Sequence, residues 1–131
     1  MPFKKILPLV AALLIAMSTV VFAAAQEDMR FVDANGSTGY YVDVASISFD
    51  GDDAVNARIA VVKAAANRRF IYAVRFDRKA KTYQLYSSIV QQYDTKEVLE
   101  DKPLTDSPHP YGIASPMKEM VDFIFQFPHN D

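Results

Sequence analysis

The chain has 131 residues, half of them hydrophobic, with no cysteine, no tryptophan and a formal net charge of −2. Such a chain can pack one compact core. It excludes disulfide bonds and thiol chemistry, and its acidic balance argues against nucleic acid as a partner.

Lys4 and Lys5 precede an almost unbroken apolar run from Ile6 to Phe22, which closes on Ala23-Ala24-Ala25. A basic start, an apolar centre and a small-residue end are the parts of a secretory signal, so residues 1–25 are expected to be a signal peptide cut before Gln26. An uncleaved anchor is the competing reading, because the run approaches the length that spans a bilayer. Pro8 and the alanines favour cleavage. No cysteine is available to carry a lipid at the new N-terminus, and the expected location is exported: periplasmic, cell-surface or secreted. Residues 26–131 are then read as a single domain with no membrane span after signal cleavage. Losing Lys4 and Lys5 takes the net charge from −2 to about −4, which favours solubility.

The mature chain begins with a run, Met29 to Asp33, that leads into Asn35-Gly36, a strong hairpin-turn signal. The pattern predicts a first strand near 28–33 and a second near 39–44. Ser46 to Phe49 leads to a second turn at Asp50-Gly51, after which Val55, Ala57, Ile59 and Val61 alternate with Asn56, Arg58 and Ala60 as a third strand. Ala64 to Asn67 is too short to nucleate a helix and reads as a connector or a single turn.

From Arg68 to Tyr93 two alternating runs flank a charged connector, Asp77 to Lys81. Phe70, Tyr72, Val74 and Phe76 are expected on one face, with Ile71, Ala73 and Arg75 on the other; Tyr83, Leu85, Ser87 and Ile89 are expected to share a face on the return strand. This hairpin is placed at the centre of the sheet. Alternation stops from Asp94 to Ala114, where Pro103, Pro108 and Pro110 intervene, and a long surface loop is predicted. Ser115 then offers an N-cap and Pro116 a first helical residue. Met117, Met120, Val121, Ile124 and Phe125 fall on one helical stripe, extended by Phe123 and Phe127 and stopped by Pro128. The fold class is therefore α+β: an antiparallel β-sheet of about five to six strands with a C-terminal helix packed on one face.

Chemistry is harder to find. Asp50, Asp52 and Asp53 are close together, but Gly51 comes too early for a calcium loop, and a solvated turn explains them. His109 and His129 lack metal-ligand spacing. No serine lies in a nucleophile elbow, and Ser115, four positions from Lys118 by inclusive count, is better explained as a helix cap. The chain is thus read as having no catalytic residues, no metal site and no cofactor. One cluster stands out. Lys63, Arg68, Arg69, Arg75, Arg78, Lys79 and Lys81 interleave with Phe70, Tyr72, Phe76, Tyr83 and Tyr86. Basic residues among aromatics suit an anionic glycan, an acidic peptide or, least of the three given export, a nucleic acid; the competing reading is a solvated hairpin tip whose lysines block unwanted strand pairing.

An export signal, the phrase Gly39-Tyr40-Tyr41-Val42-Asp43-Val44-Ala45-Ser46-Ile47, the run ending Lys81-Thr82-Tyr83, Tyr93-Asp94, and Tyr111-Gly112-Ile113-Ala114-Ser115-Pro116 before a closing helix together resemble the small bacterial surface-adhesin E-like domains. The resemblance spans nearly all of Gln26 to Phe127. It implies an antiparallel sheet with a packed C-terminal helix and, for the best-known members, attachment to host extracellular-matrix and plasma proteins, sometimes as dimers. This chain departs from the pattern in lacking tryptophan, the paired cysteines and a lipid-bearing cysteine. Tyr111 stands where a tryptophan is usual, and Phe125 or Phe127 lies near a usual cysteine.

The expectation is an exported, non-enzymatic, adhesin-like binding domain that engages a host extracellular or envelope macromolecule through an exposed sheet face or strand edge and the basic-aromatic hairpin. Arg69, Arg75, Arg78, Lys79, Lys81, Tyr83 and Tyr86 are the candidate ligand-binding residues. The alternative is an accessory cell-envelope protein that self-associates, for instance as a homodimer; an enzyme of unrecognised type ranks third.

Overall fold

The computed structural model describes residues 26–127; the expected signal peptide, Pro128 and His129 lie outside them. Among the described residues the strands are β1 (Met29–Asn35), β2 (Thr38–Asp50), β3 (Ala54–Lys63), β4 (Arg68–Asp77), β5 (Thr82–Gln92), β6 (Val98–Pro103) and β7 (His109–Pro110), followed by helix α1 (Pro116–Gln126). Every pairing is antiparallel, and β1 to β6 lie side by side in chain order. The short β7 pairs with the start of β5. The α+β reading holds, with an antiparallel sheet carrying one C-terminal helix.

Turn chemistry sets the hairpins. Gly36 takes a positive φ of 61° in the tight turn between β1 and β2, a conformation that costs glycine little. Asp77 accepts from the backbone N–H groups of Lys79 and Ala80 and so shapes the β4–β5 turn. Ala64–Ala66 form a single 3-10 turn that Asn67 closes in the left-handed conformation.

The helix forms where the apolar period changes. Ser115 accepts from the Lys118 backbone N–H as N-cap, and Pro116 opens the first turn. Met120, Val121 and Ile124 are buried against Val42, Val55, Ala57, Ile59, Val74 and Phe76. α1 lies along β1 and β2, so one face of the sheet is sealed, and the other carries no helix among the described residues. Tyr111 closes one end of this core.

Three expectations need correction. First, β2 runs to Asp50 rather than stopping near 44. Its register jumps between Asp43 and Ser48, a wide irregularity that hides the alternation. Second, the span from Asp94 to Ala114 is not a single loop, because it contains β6 and β7. All six residues of β6 are exposed, so the strand has no apolar alternation to read. Pro103 is tolerated because it ends an outermost strand, where a missing N–H costs little. Third, Ser87 and Ile89 do not share a face with Tyr83 and Leu85. Val74 pairs with Leu85 while Ala73 pairs with Ser87, which leaves Tyr86 as an unpaired bulge residue. One extra residue moves everything after it to the opposite face.

Candidate functional site

Strand parity assigns the helix-free face. Phe31, Tyr41, Ala60, Ile71 and Ile89 are partners across successive strands, and Val62, Arg69 and Gln91 form the next row. Ala60, Val62 and Ile71 are buried although no helix of the described residues covers them. Small and medium side chains flanked by longer ones lose their water to those neighbours. Phe31, 57% exposed, meets the Tyr41 ring edge-on at 5.6 Å, a favoured aromatic geometry. Tyr86 and Tyr93 are also exposed.

Two hollows adjoin on this face and share Tyr41, Val62 and Tyr93. One, of about 230 Å³, lies over the β1–β2 turn and also touches Ala34, Ser37 and Ala64. The other, of about 180 Å³, is bounded further by Glu27, Met29, Ala60, Arg69 and Lys96. In the second, Arg69 is only 7% exposed in its side chain and donates from Nη2 to Glu27 at 2.6 Å. Its Nη1 donates to Gln91 at 2.9 Å. Lys96 sits over the Tyr93 ring, 4.5 Å from its centre, and its Nζ donates to the Tyr93 carbonyl.

Beside the hollows, Asp43 stands on the same face and is 1% exposed. Its Oδ1 accepts from the backbone N–H groups of Asp28 at 2.8 Å and Ala45 at 3.1 Å. Oδ2 has no hydrogen-bond partner among the described residues, and its nearest cation is Arg58 at 3.7 Å. Asp43 thereby ties the chain entering β1 to the irregular stretch of β2. Ser46 assists by donating to the Asp43 carbonyl at 2.7 Å and accepting from the Arg58 N–H at 2.7 Å.

The seven candidate residues do not form one patch. Arg69 lies at the start of β4 and Arg78 just beyond its end, about 30 Å apart for a chain of that length. Arg75, on the helix-free face, donates to Asp50 at 2.8 Å, and that carboxylate raises the guanidinium's proton affinity above its ordinary value. Arg78 pairs with Asp53 at 3.3 Å and stacks over Phe125 at 4.3 Å, so it joins the hairpin end to the helix. Tyr83 faces the core and contacts the His109 ring at 5.7 Å. Tyr86 donates its hydroxyl to Gln84 at 3.2 Å beside Arg75. Of the five basic candidates, Lys79 and Lys81 stay exposed without an ion pair among the described residues.

The acidic turn therefore has a role that turn chemistry alone does not assign. Asp50 and Asp53 neutralise two of the arginines across the β2–β3 and β4–β5 ends, and the Arg78 N–H donates to the Asp53 carbonyl at 2.8 Å. The hairpin tip is charge-matched, not a cationic patch.

Comparison with protein-family models, with curated proteins and with solved structures finds no match. Among the described residues no group of three or more His, Asp or Glu side chains is arranged to hold a metal, and no helix is long and apolar enough to cross a membrane. His109 and Asp106 make a surface pair at 2.8 Å.

Of the residues gathered on this face, Arg69 and Tyr86 are candidates from the sequence, whereas Phe31, Tyr41, Tyr93, Glu27 and Lys96 join the site only in the folded sheet. The alternation of β1 and β2 places Phe31 and Tyr41 on one side once pairing is known. Glu27 reaches Arg69 across 42 positions of sequence, a separation that no local pattern reports.

Proposed function

We propose that the chain is an exported, non-enzymatic, adhesin-like binding domain that holds a macromolecular partner on the helix-free face of its sheet. The observation that carries this reading is the exposed aromatic surface of that face, with Phe31, Tyr86 and Tyr93 at its surface over the buried Ala60 and Ile71. Aromatic side chains contribute large contact areas at little conformational cost and are enriched in interfaces. Arg75 and Gln84, beside Tyr86, add directional hydrogen bonding. The charge-matched hairpin tip favours a partner of mixed polarity over a strong polyanion, with Lys79 and Lys81 as exposed cations at its margin.

The test is binding of the purified protein to immobilised extracellular-matrix, plasma and envelope proteins. Phe31→Ser combined with Tyr86→Ser, two exposed sites, is expected to weaken the interaction at least tenfold while leaving the circular dichroism spectrum unchanged. Equal binding by the variant contradicts this face. Self-association through β6 is the weaker reading, because Glu100, Asp101, Lys102 and Pro103 blunt the outer edge that a second strand would need.

A further inference from the structure

The hollow of about 180 Å³ beside Arg69 has the build of a ligand site in its own right. Its floor and walls combine Met29, Tyr41, Ala60 and Val62 with two cations, Arg69 and Lys96, and one carboxylate, Glu27. The charged lining is thus net positive in a chain whose overall balance is acidic. A buried guanidinium requires a counter-charge. Glu27 supplies it, yet Glu27 is itself 49% exposed and belongs to the short segment before β1. Only two of the five guanidinium N–H groups find acceptors among the described residues, at Glu27 and Gln91.

We propose that this hollow binds a small carboxylate-bearing ligand with one ring-sized apolar group. The ligand's carboxylate replaces Glu27 on Arg69, and its ring lies between Tyr41 and the Val62–Ala60 floor. Three observations select this chemistry. The intramolecular occupant of the arginine is already a carboxylate, which the planar guanidinium matches in a forked geometry. The volume exceeds the roughly 150 Å³ that accommodates benzene in an apolar cavity and is too small for a drug-sized molecule. Displacing Glu27 returns a half-exposed carboxylate to water, so the exchange does not strand a buried charge. Lys96 adds a second cation at the rim, held near Tyr93 by its contact with that residue's carbonyl.

The hollow shares Ala60 and Tyr93 with the proposed partner face but not Phe31 or Tyr86, so the Phe31→Ser, Tyr86→Ser variant and the Glu27 and Arg69 variants test the two readings separately. Titration of the purified protein with sodium benzoate, followed by backbone amide NMR, is the test, with benzamide as the neutral analogue and inorganic phosphate as an anion without a ring. Benzoate is expected to saturate shifts at Tyr41, Val62, Arg69 and Tyr93 with a Kd of about 1 mM or tighter, at least tenfold below that of either control. Glu27→Gln removes the internal competitor and is expected to tighten benzoate binding three- to tenfold. Arg69→Gln is expected to abolish it. Should Arg69→Gln fail to fold, the Glu27→Gln result decides, because a purely structural Glu27–Arg69 pair predicts no gain in affinity. Equal binding of benzamide, no saturable benzoate shift, or unchanged or weaker binding by Glu27→Gln overturns the proposal.

Discussion

Single residues on the helix-free face hold its shape as well as offer contacts. Asp43 is the strongest case, since its buried Oδ1 accepts from two backbone N–H groups. Asp43→Ala leaves both donors without that acceptor, and the expected loss is about 3 kcal/mol of unfolding free energy in urea; a loss within experimental error removes Asp43 from the account. Tyr72 gives a pH-dependent prediction. Burial pushes its phenol above the ordinary 10.0, so the folded state holds this proton more tightly than the unfolded chain does. Its contribution to stability is whole below the unfolded value and is lost as pH rises through the folded one. Thermal melts between about pH 9 and pH 11 should therefore show a fall in Tm that Tyr72→Phe reduces. Tyr111 is raised in the same direction, chiefly by burial. Asp43 was visible in the sequence only as one residue of an alternating run, because its partners are set by the irregularity in β2. Arg69 was visible as a cation, but its burial was not, since Glu27 and Gln91 meet it only after the sheet has formed.

Among the elements, those with a strong period were legible and those without one were not. The stripe of Met120, Val121 and Ile124 specified both the helix and its buried side, and Ser115 marked its start. Met120→Ala is accordingly expected to cost about 3 kcal/mol, against about 1 kcal/mol for Ser115→Ala, as measured by denaturant unfolding; a reversed order contradicts the packing. The β4–β5 hairpin was legible up to Leu85. Beyond it the bulge at Tyr86 turned Ser87 and Ile89 to the other face, and no residue type announces a bulge of this kind. β6 was illegible for a different reason, because a strand exposed along its whole length has nothing to alternate. The β2–β3 turn was correctly read as solvated, but its service as counter-charge to Arg75 and Arg78 depends on two turns meeting at one end of the sheet.

At the scale of the molecule, division of labour between the two faces is the organising fact. α1 seals one face into a core. The other keeps an aromatic surface, two hollows and a buried arginine, and both proposed contacts belong to it. The hairpin tip, attractive in sequence as a basic cluster, is largely neutralised by its neighbours and contributes Lys79 and Lys81 at the margin. The most direct test is methyl-resolved NMR of the protein titrated with a captured matrix or envelope partner. The account predicts that the methyl groups of Ala60, Ile71 and Ile89 shift while those of Met120, Val121 and Ile124 stay in place. Shifts confined to the helix residues, with the helix-free face silent, would contradict it.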